Sequence, residues 1–200
     1  MAILTFPEII PNRAEFGLTS NTQAFESPLS GAVQTVELPG ARWFARLTFD
    51  NRSREKAAAL EAFLVRLRGQ AGRFYLHDHS HPAPFGAASG SPYVAGAGQT
   101  GTSLLTAGWT PNTSAVLKAR DYFQVGNKLR MLVADAGSDG SGFAALVFEP
   151  PLITAPSDLA QLIVNKPCAV MMLAGKEIGW SARRGILKSV SLTCFEDVLA

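Results

Sequence analysis

The chain has 200 residues, of which 47% are hydrophobic and 17% are charged. A length near 200 residues corresponds to one domain, or to two small ones, and buries roughly 70% of the surface that the unfolded chain exposes. A low charged fraction beside a normal apolar fraction argues against intrinsic disorder. The 18 basic and 16 acidic residues give a net charge of +2 and divide evenly between the two halves of the chain. The basic footprint of a nucleic-acid-binding protein is therefore missing, and we expect no nucleic-acid partner.

From the sequence we expect neither an export signal nor a membrane span. Residues 1–8 carry no basic segment, and their apolar run is too short for a secretory signal. No segment holds the ~20 apolar residues that cross a bilayer, so we expect a soluble chain with no membrane contact. Cys168 and Cys194 are predicted to be free thiols, which fits folding in a reducing compartment.

Alternating apolar and polar residues predict strands in the N-terminal part of the chain. Short strands are expected near Phe16 and Gln23 and over residues 33–38. The clearest strand covers residues 42–49, because every second side chain in it is apolar. The side chains predicted to share its apolar face are Trp43, Ala45, Leu47 and Phe49.

One segment, at about residues 53–68, has the pattern of an amphipathic helix. Ser53 is a plausible N-cap, Glu55 places a negative charge in the first turn, and Gly69 is placed to end the helix. Its apolar residues recur at helical spacing and predict a single buried stripe. That stripe consists of Leu60, Phe63, Leu64 and Leu67.

The middle of the chain is predicted to be a long loop. A strand over residues 73–77 leads into residues 82–113, which are rich in Gly, Ala, Ser and Thr. The 39 residues from His79 to Leu117 contain no charged side chain. Structureless loops of this length are uncommon inside compact domains. We therefore predict that residues 83–117 form a long loop or arm that is disordered, functional or ordered by a neighbouring subunit.

Dense turn signals predict a β-hairpin or small β-barrel subdomain over residues 118–159. Residues 122–125 and 128–135 form a hairpin around the tight turn Gly126-Asn127. A third strand over residues 143–148 is expected to end at Pro150.

Two further strands, over residues 168–173 and 186–195, complete the prediction. Residues 1–82 and 160–200 then form a β core domain, with the arm and the subdomain inserted between them. The expected fold is mainly β (α+β), with a β-sandwich or split-barrel core, one amphipathic helix and an inserted β-barrel or hairpin region.

All three histidines lie in one short segment, as His77, His79 and His81. Alternate residues of an extended strand share a face, so three imidazoles could converge on a metal ion such as zinc. However, alternate positions lie ~6.6–7 Å apart, too far for one ion unless the strand bends. We predict no metal site and retain the three histidines as candidates for a metal-dependent hydrolase.

No other motif predicts catalysis or cofactor binding. The glycine-rich segment Gly137–Gly142 precedes a strand pattern and lacks the lysine of a phosphate-binding loop, so it is predicted to be a turn. We expect no catalytic residue, no cofactor and no enzymatic activity.

Three aromatic residues are candidates for contacts with partners. Tyr93 and Trp109 fall in the predicted loop, and Trp180 lies near a turn. Exposed aromatic rings anchor protein interfaces or stack on sugars.

The order of elements resembles that of tail proteins of tailed bacteriophages. Residues 43–49 and the helix lead to Gly69-Gln-Ala-Gly72-Arg-Phe74, which is similar to the "G-x-x-G-x-F" turn and strand of those proteins. Residues 117–126 and 148–152 resemble their inserted barrel, whose common form is "G-D-x-(F/L)-x-x-G" followed by "P-x-L-R". Here Arg120 stands in place of the glycine and Ile153 in place of the arginine. The resemblance covers roughly residues 33–195.

This resemblance implies a virion structural protein, like the distal tail or minor tail proteins of siphophages. It implies a homo-oligomeric ring, often hexameric, that joins the tail tube to the tip hub or baseplate. The partners would be further copies of the chain, the tube protein and the hub proteins, with assembly in the bacterial cytoplasm. Two alternatives stay open. One is a host-glycan-binding module that uses Trp109 or Tyr93, and the other is the hydrolase that uses the histidine cluster.

Overall fold

The computed structural model describes residues 2–182 and 188–199. It is mainly β with one helix, which confirms the predicted fold class. Two large sheets and a separate two-stranded ribbon account for the strands. The helix α1 covers Arg54–Leu67, and the strands are β1 (Leu4–Thr5), β2 (Arg13–Thr19), β3 (Thr22–Glu26), β4 (Val33–Glu37), β5 (Arg42–Arg52), β6 (Phe74–His77), β7 (Gly90–Val94), β8 (Gly101–Trp109), β9 (Tyr122–Val125), β10 (Lys128–Leu132), β11 (Ala144–Leu152), β12 (Leu162–Ile163), β13 (Cys168–Leu173), β14 (Trp180–Ala182) and β15 (Lys188–Glu196).

The first sheet has seven strands in the order β1-β6-β13-β15-β5-β2, with β14 also paired to β15. Strand β5 lies near its centre and alternates as predicted, so that the four apolar side chains of its inner face are buried. Val190, Leu192 and Cys194 of β15 are buried on the neighbouring strand. Strand β15 covers Lys188–Glu196, and the start predicted for it at residue 186 lies outside the described residues.

Helix α1 packs on this sheet through the stripe that the sequence predicts. Its buried residues include all four of that stripe, together with Ala57. Ser53 precedes the helix with an extended backbone and makes no side-chain capping bond. The helix ends where Arg68 and Gly69 both take positive φ angles, of 53° and 66°, the left-handed conformation common at helix C-termini.

The second sheet has six strands, in the order β12-β9-β10-β11-β8-β7, and curls toward closure. Its outer strands β7 and β12 approach each other, since Tyr93 and Gln161 form an antiparallel bridge. The Val94 N–H donates to the Ala160 carbonyl at 2.9 Å beside this bridge. A second apolar core fills the sheet, with Phe123 against Phe148 in an edge-to-face contact. The predicted hairpin at Gly126-Asn127 is confirmed, with Val125 paired to Lys128.

The predicted loop over residues 82–113 is wrong where β7 and β8 occur. Both strands belong to the second sheet, and they bury Val94 and Leu104 in its core. Residues 83–117 are therefore held largely by their own chain. Strand β11 also continues past its predicted end, through Pro150 and Pro151 to Leu152.

The two sheets pack against each other. The Trp43 indole N–H of β5 donates to the Leu129 carbonyl of β10 at 3.0 Å. Tyr122 and Leu129, from the second sheet, belong to the apolar cluster of the first sheet. Across residues 2–182 and 188–199, no helix combines the length and apolar character needed to cross a membrane.

Candidate interaction site

The three histidines do not converge. The His77 and His79 rings stack with centroids 4.6 Å apart, whereas the His81 ring lies against Phe85 and Tyr122. The reason is a tight turn after β6: the Asp78 carboxylate accepts hydrogen bonds from the Ser80 backbone N–H and hydroxyl, at 2.8 and 2.7 Å. Within the part of the chain that the structure describes, no group of three metal-ligating side chains is placed to hold an ion.

The surroundings of the stacked His77 and His79 rings favour the neutral form of both imidazoles. Burial, together with a smaller effect of the neighbouring His77, lowers the pKa of His79 to about 4. Burial also lowers the pKa of His77, and the Lys166 ammonium acts in the same direction. Both imidazoles are therefore neutral near pH 7.

His81 instead belongs to a buried structural cluster around Asp121. The His81 Nε2 atom lies 2.9 Å from Asp121 Oδ1. The same carboxylate accepts backbone N–H bonds from Phe85, Gly86 and Lys118, at 2.7, 2.9 and 2.8 Å. Burial alone would raise the pKa of Asp121, but these hydrogen bonds outweigh it and hold the pKa below its usual range. The cluster fixes the start of residues 83–117, the segment predicted to be a long loop or arm.

The aromatic candidates differ in accessibility. Trp109 is only 3% exposed, and its indole N–H donates to the Thr106 hydroxyl at 2.8 Å, so its expected exposure is wrong. Tyr93 is half-buried at the seam between β7 and β12. Trp180 is 44% exposed on β14 and stays a candidate for an interface.

One exposed apolar surface of the described residues was not predicted from the sequence. Strands β3 and β4 form a two-stranded antiparallel ribbon that pairs with neither large sheet. All ten of its strand residues are exposed. Isolated two-stranded ribbons are at best marginally stable in water. We call residues 22–37 the ribbon.

The ribbon presents apolar side chains to solvent. Phe25 is 58% exposed, and Leu29, in the turn between the strands, is 98% exposed. Cross-strand pairing places Phe25 on the same face as Val36, beside two glutamines. Residues 20–41 contain Glu26 and Glu37 but no basic residue.

A cavity of about 440 Å³ lies at the base of the ribbon. Its wall is mostly apolar, and beside Arg130 and Glu196 it contains Glu37 and Lys128. The Arg130 guanidinium is buried 3.8 Å from the Glu196 carboxylate, and its Nε atom has no hydrogen-bond partner. Its apolar wall consists of Leu38, Pro39, Ala41, Pro150, Pro151, Leu152, Ile153, Val198 and Leu199.

The Glu196 carboxylate links the cavity to the first sheet. Its second oxygen accepts the Trp43 backbone N–H at 3.1 Å. Burial raises the pKa of Glu196, and the Trp43 N–H and the Arg130 charge oppose that rise. Arg130 and Glu196 are thus buried and fixed by their contacts, while much of the apolar wall of the cavity faces solvent.

No known protein family model and no curated protein matches this chain.

Proposed function

We propose that this chain is a structural subunit of a bacteriophage tail tip. It assembles with further copies of itself into a ring, and the resemblance implies that this ring is a hexamer. In this proposal the ring joins the tail tube to the tip hub or baseplate, and the chain is a non-enzymatic virion component. The resemblance of residues 33–195 to phage tail proteins supplies the biological setting.

The observation that carries the proposal is the exposed ribbon. The ribbon has exposed apolar side chains and is not supported by either large sheet, and exposed apolar surface of this kind marks a site of interaction with another protein. Burial against another subunit would remove Phe25 and Leu29 from water and stabilise the two strands. The low charged fraction of the chain, 17%, agrees with a surface that is largely covered by protein.

The alternatives have less support from the geometry. A glycan-binding platform at Trp109 would need an accessible ring, and this one is 3% exposed. A hydrolase that uses three histidines would need them around one ion, but His81 is bonded to Asp121 instead.

Copurification with particles tests the proposal. Tailed particles from a lysate of the source are banded on a density gradient, and mass spectrometry measures this chain relative to the tube protein. We expect the chain in intact particles, at the constant low ratio of a single ring. A chain found only in the soluble fraction, while the tube protein bands with particles, would overturn the proposal.

A further inference from the structure

We propose that the stacked rings of His77 and His79 form an acid-sensitive latch for residues 2–8. The latch holds these residues on the first sheet while both imidazoles are neutral, and protonation of the imidazoles releases them. We call residues 2–8 the N-terminal segment. The inference concerns the fold of a single chain, so it does not depend on the proposed function.

The N-terminal segment is attached at the end of the first sheet. Strand β1 is two residues long and pairs only with β6, where the Leu4 N–H donates to the Arg73 carbonyl at 2.8 Å. Phe6 supplies the apolar attachment, since it is 8% exposed and packs among three other phenylalanine rings. Those rings belong to Phe49, Phe63 and Phe74. A short terminal strand held mainly by one side chain is a segment that opens without unfolding the rest of a domain.

The latch contacts this attachment directly. The His79 ring meets the Phe6 ring edge-to-face, with centroids 6.3 Å apart, and its other contact is the stacked His77 ring at 4.6 Å. The Nδ1 atom of His79 is buried and has no hydrogen-bond partner among the described residues. A protonated His79 would therefore bury an N–H donor and a charge without an acceptor, next to a second imidazole.

Four other titratable groups face the pair. They are Glu8, Asp78, Lys166 and Cys168. The Lys166 ammonium opposes protonation of both histidines, whereas the carboxylates of Asp78 and Glu8 favour it. Burial outweighs the two carboxylates and lowers the pKa of each histidine. Burial also raises the pKa of the Cys168 thiol to about 11, so this cross-strand neighbour of His77 carries no charge near pH 7.

The two carboxylates are also engaged elsewhere. Asp78 accepts hydrogen bonds from the Ser80 N–H and hydroxyl, at 2.8 and 2.7 Å. Glu8 lies 3.6 Å from the Lys166 ammonium, which connects the N-terminal segment to the loop before β13. The pair thus has no dedicated counter-ion, and its protonated form is unfavourable while the segment is in place.

Protonation and release are linked. When Phe6 leaves, His79 is uncovered and regains its ordinary pKa of 6.5, against about 4 in the closed protein. Because the closed-state pKa is the lower one, protonation favours the released state as pH falls from about 6.5 to 4. From His79 alone, the released fraction rises about 20-fold between pH 7 and pH 5. His77 acts in the same direction, since its pKa is also lowered.

Release changes the edge that the first sheet presents. Strand β1 is the end of the strand order, and β6 becomes the edge strand once β1 has left. The chain after the segment stays fixed, because the Ile10 carbonyl accepts a hydrogen bond from the Arg52 guanidinium at 2.6 Å. The acid form therefore differs from the neutral form at one edge and keeps the rest of the fold.

Hydrogen exchange of the 200-residue chain, followed by NMR at pH 7 and pH 5, tests the latch. The reporter is the Leu4 N–H, with its protection factor corrected for the intrinsic pH dependence of exchange. The reference is the Val94 N–H, which donates to the Ala160 carbonyl at 2.9 Å in the second sheet. The matched variant is His79→Phe, which keeps a ring against Phe6 and cannot take a proton. His79→Gln, which also does not titrate, replaces it if the phenylalanine variant does not fold.

We expect the protection factor of Leu4 to fall about 20-fold from pH 7 to pH 5 relative to that of Val94. The fall should be several-fold smaller in the non-titrating variant. An equal loss at Leu4 and Val94 indicates global unfolding and overturns the latch. Unchanged protection of Leu4, or the same loss in the variant as in the original chain, overturns it as well.

Discussion

Replacement of Asp121 should destabilise the protein strongly, because one carboxylate holds three segments together. Its side chain is fully buried and accepts four N–H bonds of 2.7–2.9 Å, from His81, Phe85, Gly86 and Lys118. Each buried donor left without an acceptor costs about 1–3 kcal/mol, and local relaxation recovers part of the sum. We expect Asp121→Ala to lower the free energy of unfolding by roughly 3–5 kcal/mol.

Asp121→Asn separates the charge from the hydrogen-bonding geometry. The carboxylate oxygen Oδ2 accepts from both Gly86 and Lys118, at 2.9 and 2.8 Å. The asparagine amide keeps one acceptor oxygen and puts an N–H donor where the second oxygen was, against the N–H groups that it served. We therefore expect Asp121→Asn to lower the free energy of unfolding about half as much as Asp121→Ala, by roughly 2 kcal/mol.

Urea unfolding followed by circular dichroism measures both variants. The matched control is Asp135→Asn, whose exposed carboxylate accepts one backbone N–H, from Ala119 at 2.8 Å. The control should change stability by less than about 1 kcal/mol. Losses below about 1 kcal/mol for both Asp121 variants would refute the claim that this cluster anchors the segment after β6.

The pH dependence follows from the same group. The pKa of Asp121 is lower in the folded protein than its ordinary value of 3.8. Its contribution to stability is therefore present above the pKa of the unfolded chain and is lost as pH falls through the folded pKa. Asp121→Asn should flatten the acid limb of the stability curve.

The remaining predictions concern the helix, the second sheet and the stacked histidines. Leu64→Asp places an unpaired charge in the core and should abolish the cooperative thermal transition, whereas Val65→Asp, on the exposed side of the same helix, should leave it nearly unchanged. Deletion of residues 83–103 removes β7 and the start of β8, so near-native circular dichroism in that variant would contradict their place in the sheet. The pKa of His79 is about 4 in the folded chain, below its unfolded value of 6.5, so its protonation favours the unfolded state and stability should fall between about pH 6.5 and 4. An NMR titration that finds the His79 midpoint near 6.5 would contradict its burial.

Periodicity predicted the elements whose side chains face one large core. Strand β5 and helix α1 carry strong alternating or helical apolar patterns, and the structure has them almost at the predicted boundaries. Strands β7 and β8 were missed because they contain glycine, serine, threonine and a proline, residues typical of loops. Their conformation is determined by the pairing of β8 with β11 and of β7 with β8, which a local sequence pattern does not report.

The candidate site was less predictable than the fold. The β4 sequence Val-Gln-Thr-Val-Glu contains three β-branched residues, which favour a strand, yet all five residues are exposed. Such a composition predicts the strand and does not say what covers its two faces. Trp109 is the opposite case. Its small and polar neighbours in the sequence suggested an exposed loop, but its ring lies in the core and its indole N–H donates to the Thr106 hydroxyl.

Immunogold labelling of tailed particles is the most direct test of the central claim, that this chain is a ring subunit at the tail tip. If the ribbon is buried between subunits, an antibody against it cannot bind in the particle. The antibody should therefore be raised against the exposed surface of α1. Negative-stain electron microscopy should place gold at the distal end of the tail. Gold distributed along the tail tube or on the capsid, or absent from particles that contain the tube protein, would contradict the account.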